Sequence, residues 1–129
     1  MKIPFAEAGK LVVYGFWLSG LYGAIAEVES NRGATSANVY QLRDVYIEDV
    51  NRIAGTTFTR ADAKNRDKAE YMMAIYWLHY GDLYQRSTGK EPDFEVLARI
   101  HNGGPDGWRK ESTRSYWQRV ARVMSGGDL

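Results

Sequence analysis

Apolar residues recur along this chain at three- and four-residue steps, the spacing that places side chains on one face of an α-helix. The first run predicts a helix from about Phe5 to Ser30, stopped by Asn31-Arg32-Gly33. Its apolar positions are Leu11, Tyr14, Leu18, Leu21, Ile25 and Val28. Sixteen residues from Leu11 to Ala26 carry no charge, fewer than the ~20 apolar residues of a spanning helix. We therefore interpret the run as a buried core helix rather than a signal or membrane anchor.

The same spacing predicts further helices along the rest of the chain. The next helix runs from Arg43 to Ala54 and is ended by Gly55, and a short turn capped by Thr59 and Asp62 follows it. A long helix then runs from Asp67 to Gln85. A further helix carries Phe94 to His101, and Ser112 or Thr113 caps the last one. The expected core positions are Tyr46, Val50, Ile53, Met72, Ile75, Tyr76, His79, Leu83, Phe94, Leu97, Ala98, Tyr116, Trp117, Val120 and Met124. Pro92 suits a first helical turn, and Gly103-Gly104-Pro105 is a firm stop. The sequence predicts a mainly α domain over residues 1–129, with little or no β hairpin.

Composition narrows the classes of function. The chain has 129 residues, a formal charge of +1 and no cysteine. The missing cysteines exclude thiol catalysis, a cysteine-based zinc site and a disulfide framework. The balanced charge argues against a general nucleic-acid binder. With only His79 and His101 as histidines and no plausible metal cluster, we predict neither a metal nor a cofactor.

Two acids, Glu27 and Glu29, lie at the end of the first apolar helix. Residues two apart on a helix point about 200° apart, so both cannot face one cleft. Val28 and Ile25 belong to the buried stripe, which puts Glu29 at its margin and Glu27 farther round. A carboxyl against an apolar wall is expected to have a raised pKa, as a general acid requires. An ordinary exposed glutamate is the alternative at this point.

His101 and Asn102 precede a double glycine. Glycine permits backbone angles that other residues avoid, so the chain there can approach a ligand or another segment closely. His101 has three interpretations from the residues alone: a base, a donor to a sugar, or a buried hydrogen-bonded histidine.

At this point four segments resemble one group of proteins. Ala26-Glu27-Val28-Glu29-Ser30 resembles the helix end of lysozymes and lytic transglycosylases that carries the catalytic glutamate. Val39-Tyr40-Gln41-Leu42 resembles their G-x-x-Q-(I/L) segment. The residues from Ala98 to Gly107, ARIHNGGPDG, are very similar to a stretch of invertebrate-type lysozymes and their cysteine-free bacterial and phage relatives. Ser115 to Val120 resembles their last helix.

The resemblance implies a lysozyme-like fold and a muramidase-type glycosidase that cleaves the β-1,4 bond between N-acetylmuramic acid and N-acetylglucosamine. It implies Glu29 as the single general acid, and sugar contacts from the residues that match the cleft motifs. Those residues are Tyr40, Gln41, His101, Asn102 and Gly103. The expected partner is peptidoglycan or a chito-oligosaccharide, with no nucleic acid, no membrane and a monomeric state. We expect synthesis in the cytoplasm and action at the bacterial cell wall, in phage lysis or in a virion.

The chain also departs from the family pattern. Asn38 replaces a glycine, and only eleven residues separate Glu29 from Gln41, where relatives have a longer hairpin. Residues 31–40 contain no Asp or Glu, so a covalent carboxylate intermediate is hard to build.

Asp44 and Asp49 follow Gln41, but neither is a predicted catalytic group. A lytic transglycosylase and a single-acid hydrolase, with water positioned by Thr35, Ser36 or Tyr40, both remain open. The alternative class is an inert lysozyme-like module that binds glycan or serves a structural role.

Overall fold

The computed structural model describes residues 18–31 and 38–127, and this range is built from helices. They are α1 (Ser19–Asn31), α2 (Asp44–Ala54), α3 (Arg60–Ala63), α4 (Arg66–Thr88), α5 (Phe94–Gly103) and α6 (Arg114–Met124), with 3₁₀ turns at Gly107–Arg109 and Glu111–Thr113. The described residues contain no β-strand. The predicted mainly α fold is confirmed. The predicted start near Phe5 and most of the 31–40 loop, with Thr35 and Ser36, lie outside the described residues.

Helix α4 is the centre of the core. Its Met72, Met73 and Trp77 are fully shielded from solvent. The indole Nε1 of Trp77 donates to the carbonyl of Leu97 at 2.8 Å, which ties α4 to α5. The ring of Trp77 stacks on Tyr22 of α1 at 5.5 Å. Helices α2 and α5 both pack on α4, and α6 packs on α1 and α5.

None of the helices formed by residues 18–31 and 38–127 combines the length and the apolar character that crossing a membrane would require.

Local signals set the ends of several helices as predicted. Gly55 ends α2 in a left-handed conformation, with φ 67°. Thr59 and Asp62 form a reciprocal capping box at the start of α3: the Thr59 side chain accepts from the Asp62 N–H, and the Asp62 carboxylate accepts from the Thr59 N–H. Both of these predictions are confirmed.

Helix α4 is longer than predicted at its carboxyl end. It continues to Thr88 because Gly89, with φ 74°, supplies the left-handed cap. Leu83 was expected in the buried stripe, and this was wrong: its side chain is 45% exposed. Among the neighbouring positions, His79 is half-buried and Tyr80 and Gly81 are buried, whereas Asp82, Gln85 and Arg86 are exposed. The last turns of α4 therefore lie largely outside the core.

Two capping predictions need correction. Pro92 does not lie in the first turn of α5, because Asp93 is the N-cap and its carboxylate accepts from the Val96 N–H at 2.9 Å. Thr113 does precede α6, but its side chain makes no cap hydrogen bond. Its hydroxyl instead donates to the carbonyl of Gly107 at 2.7 Å and accepts from Arg99 at 2.8 Å.

Candidate active site

A cleft of about 950 Å³ lies beside the end of α1. Glu29 of α1 and Tyr76 of α4 line it, together with Gln41 and Arg43 before α2 and one face of α2. The turn from His101 to Pro105 and residues of the following 3₁₀ segment complete the lining. The predicted acid and the glycine-rich motif therefore border one cavity, although some seventy residues separate them in the chain.

Of the two acids at the end of α1, Glu29 lines this cleft. It is 6% exposed, one of few polar or charged residues buried in the described chain. The neighbouring Ile25 and Val28 are buried in the core, at 0% and 1% exposure, whereas Glu27 is exposed. This is the division of the two acids that the helical spacing predicts, because residues two apart lie on opposite sides of a helix.

Gln41 is held at the cleft by an unusual backbone conformation. Its φ is 55°, the only positive value for a non-glycine residue in the described part of the chain. Its N–H donates to the Asn38 carbonyl at 3.1 Å. The Asn38 side chain also accepts from the N–H of Leu42 at 3.1 Å and donates to its carbonyl at 3.3 Å. The side chain of Asn38 thus stabilises the turn that presents Gln41.

His101 lies at the cleft as a half-buried, neutral ring. Its Nε2–H donates to the carbonyl of Tyr40 at 3.0 Å. Its ring makes edge contacts with Tyr46 and Trp77, at centroid distances of 5.7 and 6.2 Å. Burial lowers the pKa of His101 to about 4, although the Tyr40 carbonyl favours the charged form. Near neutral pH this histidine is therefore uncharged, with Nδ1 as its acceptor.

Tyr40 is the predicted site residue whose side chain does not line the cleft. It is fully buried, and its hydroxyl donates to Glu70 Oε2 at 2.6 Å and accepts from Arg66 Nε at 3.1 Å. The match to the family segment placed it beside Gln41, but the side chains of these two adjacent residues face different directions in the turn. Tyr40 contributes to the cleft through its carbonyl, which holds His101.

The glycines of the motif are needed for backbone packing as well as for the helix stop. Gly104 ends α5 with φ 87° and ψ −167°, a conformation that is essentially restricted to glycine. Gly107 lies against α5 so closely that an added Cβ would overlap the carbonyl of Arg99 and lie 3.2 Å from the Cα of Ile100. The close approach predicted at the double glycine is found at Gly103, where an added Cβ would lie 2.5 Å from Thr113 Cγ2. The tighter approach at Gly107, to the backbone of α5, was not predicted.

The buried side chain of Arg99 anchors the same turn from the protein interior. It is 7% exposed, and its guanidinium donates to Thr113 Oγ1, Glu95 Oε2 and the Lys110 carbonyl, each at 2.8 Å. These bonds connect α5 to the 3₁₀ segment that follows the turn. Because the turn is anchored on both sides, the edge of the cleft has a defined position.

Two stacked tyrosines line the cleft, and no sequence motif marks them as site residues. Tyr46 of α2 and Tyr76 of α4 stack with centroids 4.0 Å apart, and both line the cavity. Their periodicity predicted core positions, and both are indeed buried. The helical pattern alone gives no signal that a buried residue also borders a cavity.

Asp49 also lines the cleft, whereas Asp44 does not. Asp49 accepts from Arg52 through Oδ1 and from the Tyr80 hydroxyl through Oδ2. Asp44 instead pairs with Arg60, and both border a separate depression of about 280 Å³. Across residues 18–31 and 38–127, no group of three or more His, Cys, Asp or Glu is arranged to hold a metal ion.

A helical domain with a buried carboxyl at a helix end, an open cleft and a glycine-rich turn beside it belongs to the lysozyme-like class of folds. Comparison with known proteins agrees. The chain is 36% identical over 85 residues to a lysozyme of Magallana gigas, covering 66% of this chain and 58% of that protein. It is 30% identical over 91 residues to a lysozyme of Meretrix lusoria, covering 70% of each. It is 27% identical over 92 residues to invertebrate-type lysozyme 6 of Caenorhabditis elegans.

This chain belongs to the lysozyme family. No model of a protein family matches it, so the assignment is based on the pairwise similarities. The chain spans 58% of the Magallana gigas protein and 70% of the Meretrix lusoria protein. The expected closeness to bacterial and phage proteins, the monomeric state and the cellular location stay predictions.

Proposed function

We propose that this chain is a muramidase-type glycosidase that cleaves the β-1,4 bonds of peptidoglycan with Glu29 as its general acid. The observation that carries the proposal is the position of Glu29. It is the buried carboxyl of a cleft that is also bordered by Gln41 and by the His101–Pro105 turn. A cleft of about 950 Å³ has room for sugar units of a glycan strand.

The proposed chemistry is protonation of the bridging oxygen. Glu29 transfers its proton to the glycosidic oxygen as the bond to the anomeric carbon breaks, and the alcohol leaves neutral. Gln41 and Asn102 supply amide donors and acceptors for sugar hydroxyl and N-acetyl groups. His101 supplies an uncharged ring whose Nε2–H is already bonded to Tyr40. We assign to it and to Gly103 a part in shaping the sugar-binding wall.

The other carboxylates of the cleft favour a mechanism with one acid. Both oxygens of Asp49 accept hydrogen bonds from Arg52 or Tyr80, so it is poorly suited to act as a nucleophile. Glu48 is exposed on α2. After the proton transfer, the cation is trapped by water in a hydrolase, or by the muramic acid's own hydroxyl in a lytic transglycosylase. Mass spectrometry of the products distinguishes these outcomes, because only the second gives anhydromuramic ends.

The test compares Glu29→Gln with Glu27→Gln. Glu27 is a matched control because it lies on the same helix but is exposed. We expect the unmodified chain to clear a peptidoglycan suspension, Glu29→Gln to lower the rate by about 10² or more, and Glu27→Gln to leave it unchanged. Circular dichroism checks that both variants fold.

Full activity of Glu29→Gln would disprove its role as the acid. If the unmodified chain binds peptidoglycan without any turnover, the result supports the inert glycan-binding module instead.

A further inference from the structure

Arg43 is a cation at the cleft without a partner in the described chain. It is exposed and lines the cavity beside Gln41 and Val45. No residue within 18–31 or 38–127 forms a hydrogen bond or an ion pair with its guanidinium. Arg52, which also lines the cleft, is engaged by Asp49 and Tyr80. The charge of Arg43 is therefore available to a ligand, whereas that of Arg52 is already neutralised.

The backbone of Arg43 is fixed although its side chain is not bonded. Its carbonyl accepts from the N–H groups of Tyr46 and Ile47 at 3.0 and 3.1 Å, at the start of α2. On the other side, Leu42 is held by both side-chain groups of Asn38. The Arg43 guanidinium thus extends from a fixed backbone position, and its planar pair of donors matches a carboxylate.

Lys110 is a second cation on the lining, from the segment after the glycine-rich turn. Its ammonium donates to the Gly103 carbonyl at 2.7 Å. It forms no ion pair with a carboxylate of the described residues, and an ammonium has two further donors to offer. Arg43 and Lys110 therefore bring unneutralised positive charge to the cleft from two segments.

The acidic residues that line the cleft do not prevent it from binding an anion. Of its three acids, Asp49 is neutralised by Arg52, and Glu29 is the proposed proton donor. Glu48 is exposed and opposes an anionic ligand.

We infer that Arg43, assisted by Lys110, binds the carboxylates of the peptide stems on the muramic acid units. This makes the cleft selective for peptidoglycan over neutral chito-oligosaccharides. The inference rests on the proposed function and adds to it the group that recognises the substrate's charge.

The experiment measures kcat/KM on three substrates: peptidoglycan fragments with intact stems, glycan strands stripped of stems so that only the lactyl carboxylate remains, and neutral chito-oligosaccharides. Arg43→Gln is compared with Arg60→Gln. Arg60 is a matched control because it carries the same charge, is exposed, and pairs with Asp44 away from this cleft.

For Arg43→Gln, we expect the preference for stem-bearing fragments over chito-oligosaccharides to fall about fivefold, mainly through KM. The same ratio should stay unchanged in Arg60→Gln and rise in Glu48→Gln. The preference of the unmodified chain should also weaken at high salt. An equal loss on the stripped strands, whose lactyl carboxyl is freed from its amide bond to the stem, would show that the Arg43 contact does not require the stem and would overturn the stem assignment. An unchanged ratio in Arg43→Gln would overturn the inference as a whole.

If the proposed function is wrong, the result is different: the unmodified chain turns over none of the three substrates. In that case, fluorescence anisotropy with a labelled stem-bearing muropeptide compares the unmodified chain with Arg43→Gln. About fivefold weaker binding of the variant supports the inference, and equal binding refutes it.

Discussion

Arg99 and His101 lie two residues apart on α5, and they face opposite sides of the helix. All three nitrogen atoms of the Arg99 guanidinium donate to groups of the protein, on Thr113, Glu95 and Lys110. His101 uses one ring nitrogen, which donates to Tyr40, while its Nδ1 is buried without a partner among the described residues. One side of α5 is therefore saturated with hydrogen bonds, and the other retains an unused acceptor beside the cleft.

The difference shows that one sequence motif contains two kinds of residue. Arg99 and Gly107 contact only the protein and determine where the turn lies. His101, Asn102 and Gly103 line the cavity. Substitutions in the two groups should therefore differ in their balance between stability and activity, and three of them test this, in order of the expected effect on stability.

Gly107→Ala should have the largest effect. The added methyl group would overlap the Arg99 carbonyl, and we expect a loss of at least about 3 kcal/mol in the free energy of unfolding. Urea denaturation measures it. Gly20→Ala is the control, because a Cβ there meets nothing within 4 Å. A Gly107→Ala variant as stable as the unmodified chain would refute the close packing of the turn on α5.

Arg99→Met should come next, with a loss of about 2–3 kcal/mol. The variant keeps the buried hydrocarbon stem but leaves the Lys110 carbonyl and Glu95 without this donor. The comparison is Arg86→Met, which removes an exposed ion pair with Asp82 and should cost less than about 1 kcal/mol. If the two variants lose equal stability, the Arg99 bonds do not anchor the turn.

His101→Gln should have the smallest effect at pH 7, about 1 kcal/mol, because glutamine can still donate to the Tyr40 carbonyl. Its loss of activity should exceed what that change in stability explains, since His101 lines the cleft. If the variant loses stability but keeps full activity, His101 has a structural role, like Arg99, and does not contribute to the function of the cleft.

The pH dependence of stability sharpens this prediction. The pKa of His101 is about 4 in the folded chain, against 6.5 ordinarily. The unfolded state therefore binds the proton first, and stability falls as the pH drops from about 6.5 towards 4, by about 2 kcal/mol at pH 5. His101→Gln should lack this component, so thermal denaturation at pH 7 and pH 5 should show a shallower decline. A decline as steep as that of the unmodified chain would contradict an uncharged His101 in the folded state.

Much of the fold could be predicted from local sequence. The bounds of α2, the capping box of Thr59 and Asp62, and the stop at Gly103-Gly104 follow from residues within one or two helical turns. Such signals work because a helix end is satisfied by its immediate neighbours. The prediction for Thr113 failed because its hydroxyl is bonded to Arg99, fourteen residues away.

The candidate site was predictable where a whole segment approaches the cleft, as with Glu29 and the turn after α5. It was not predictable for side chains whose position depends on a partner from a distant segment. Tyr40 is buried because its hydroxyl meets Glu70, thirty residues along the chain. Arg43 and Asp49 border the cavity through the position of α2 on α4, and neither belongs to a motif.

The sequence by itself determined the helical architecture, the division of Glu27 from Glu29 across a helix, and the segments that carry family resemblance. The tertiary structure alone decided which polar groups satisfy one another and which remain for a ligand. The physical reason is that periodicity and capping act over a few residues, whereas a hydrogen-bond partner is selected by whichever distant segment packs alongside.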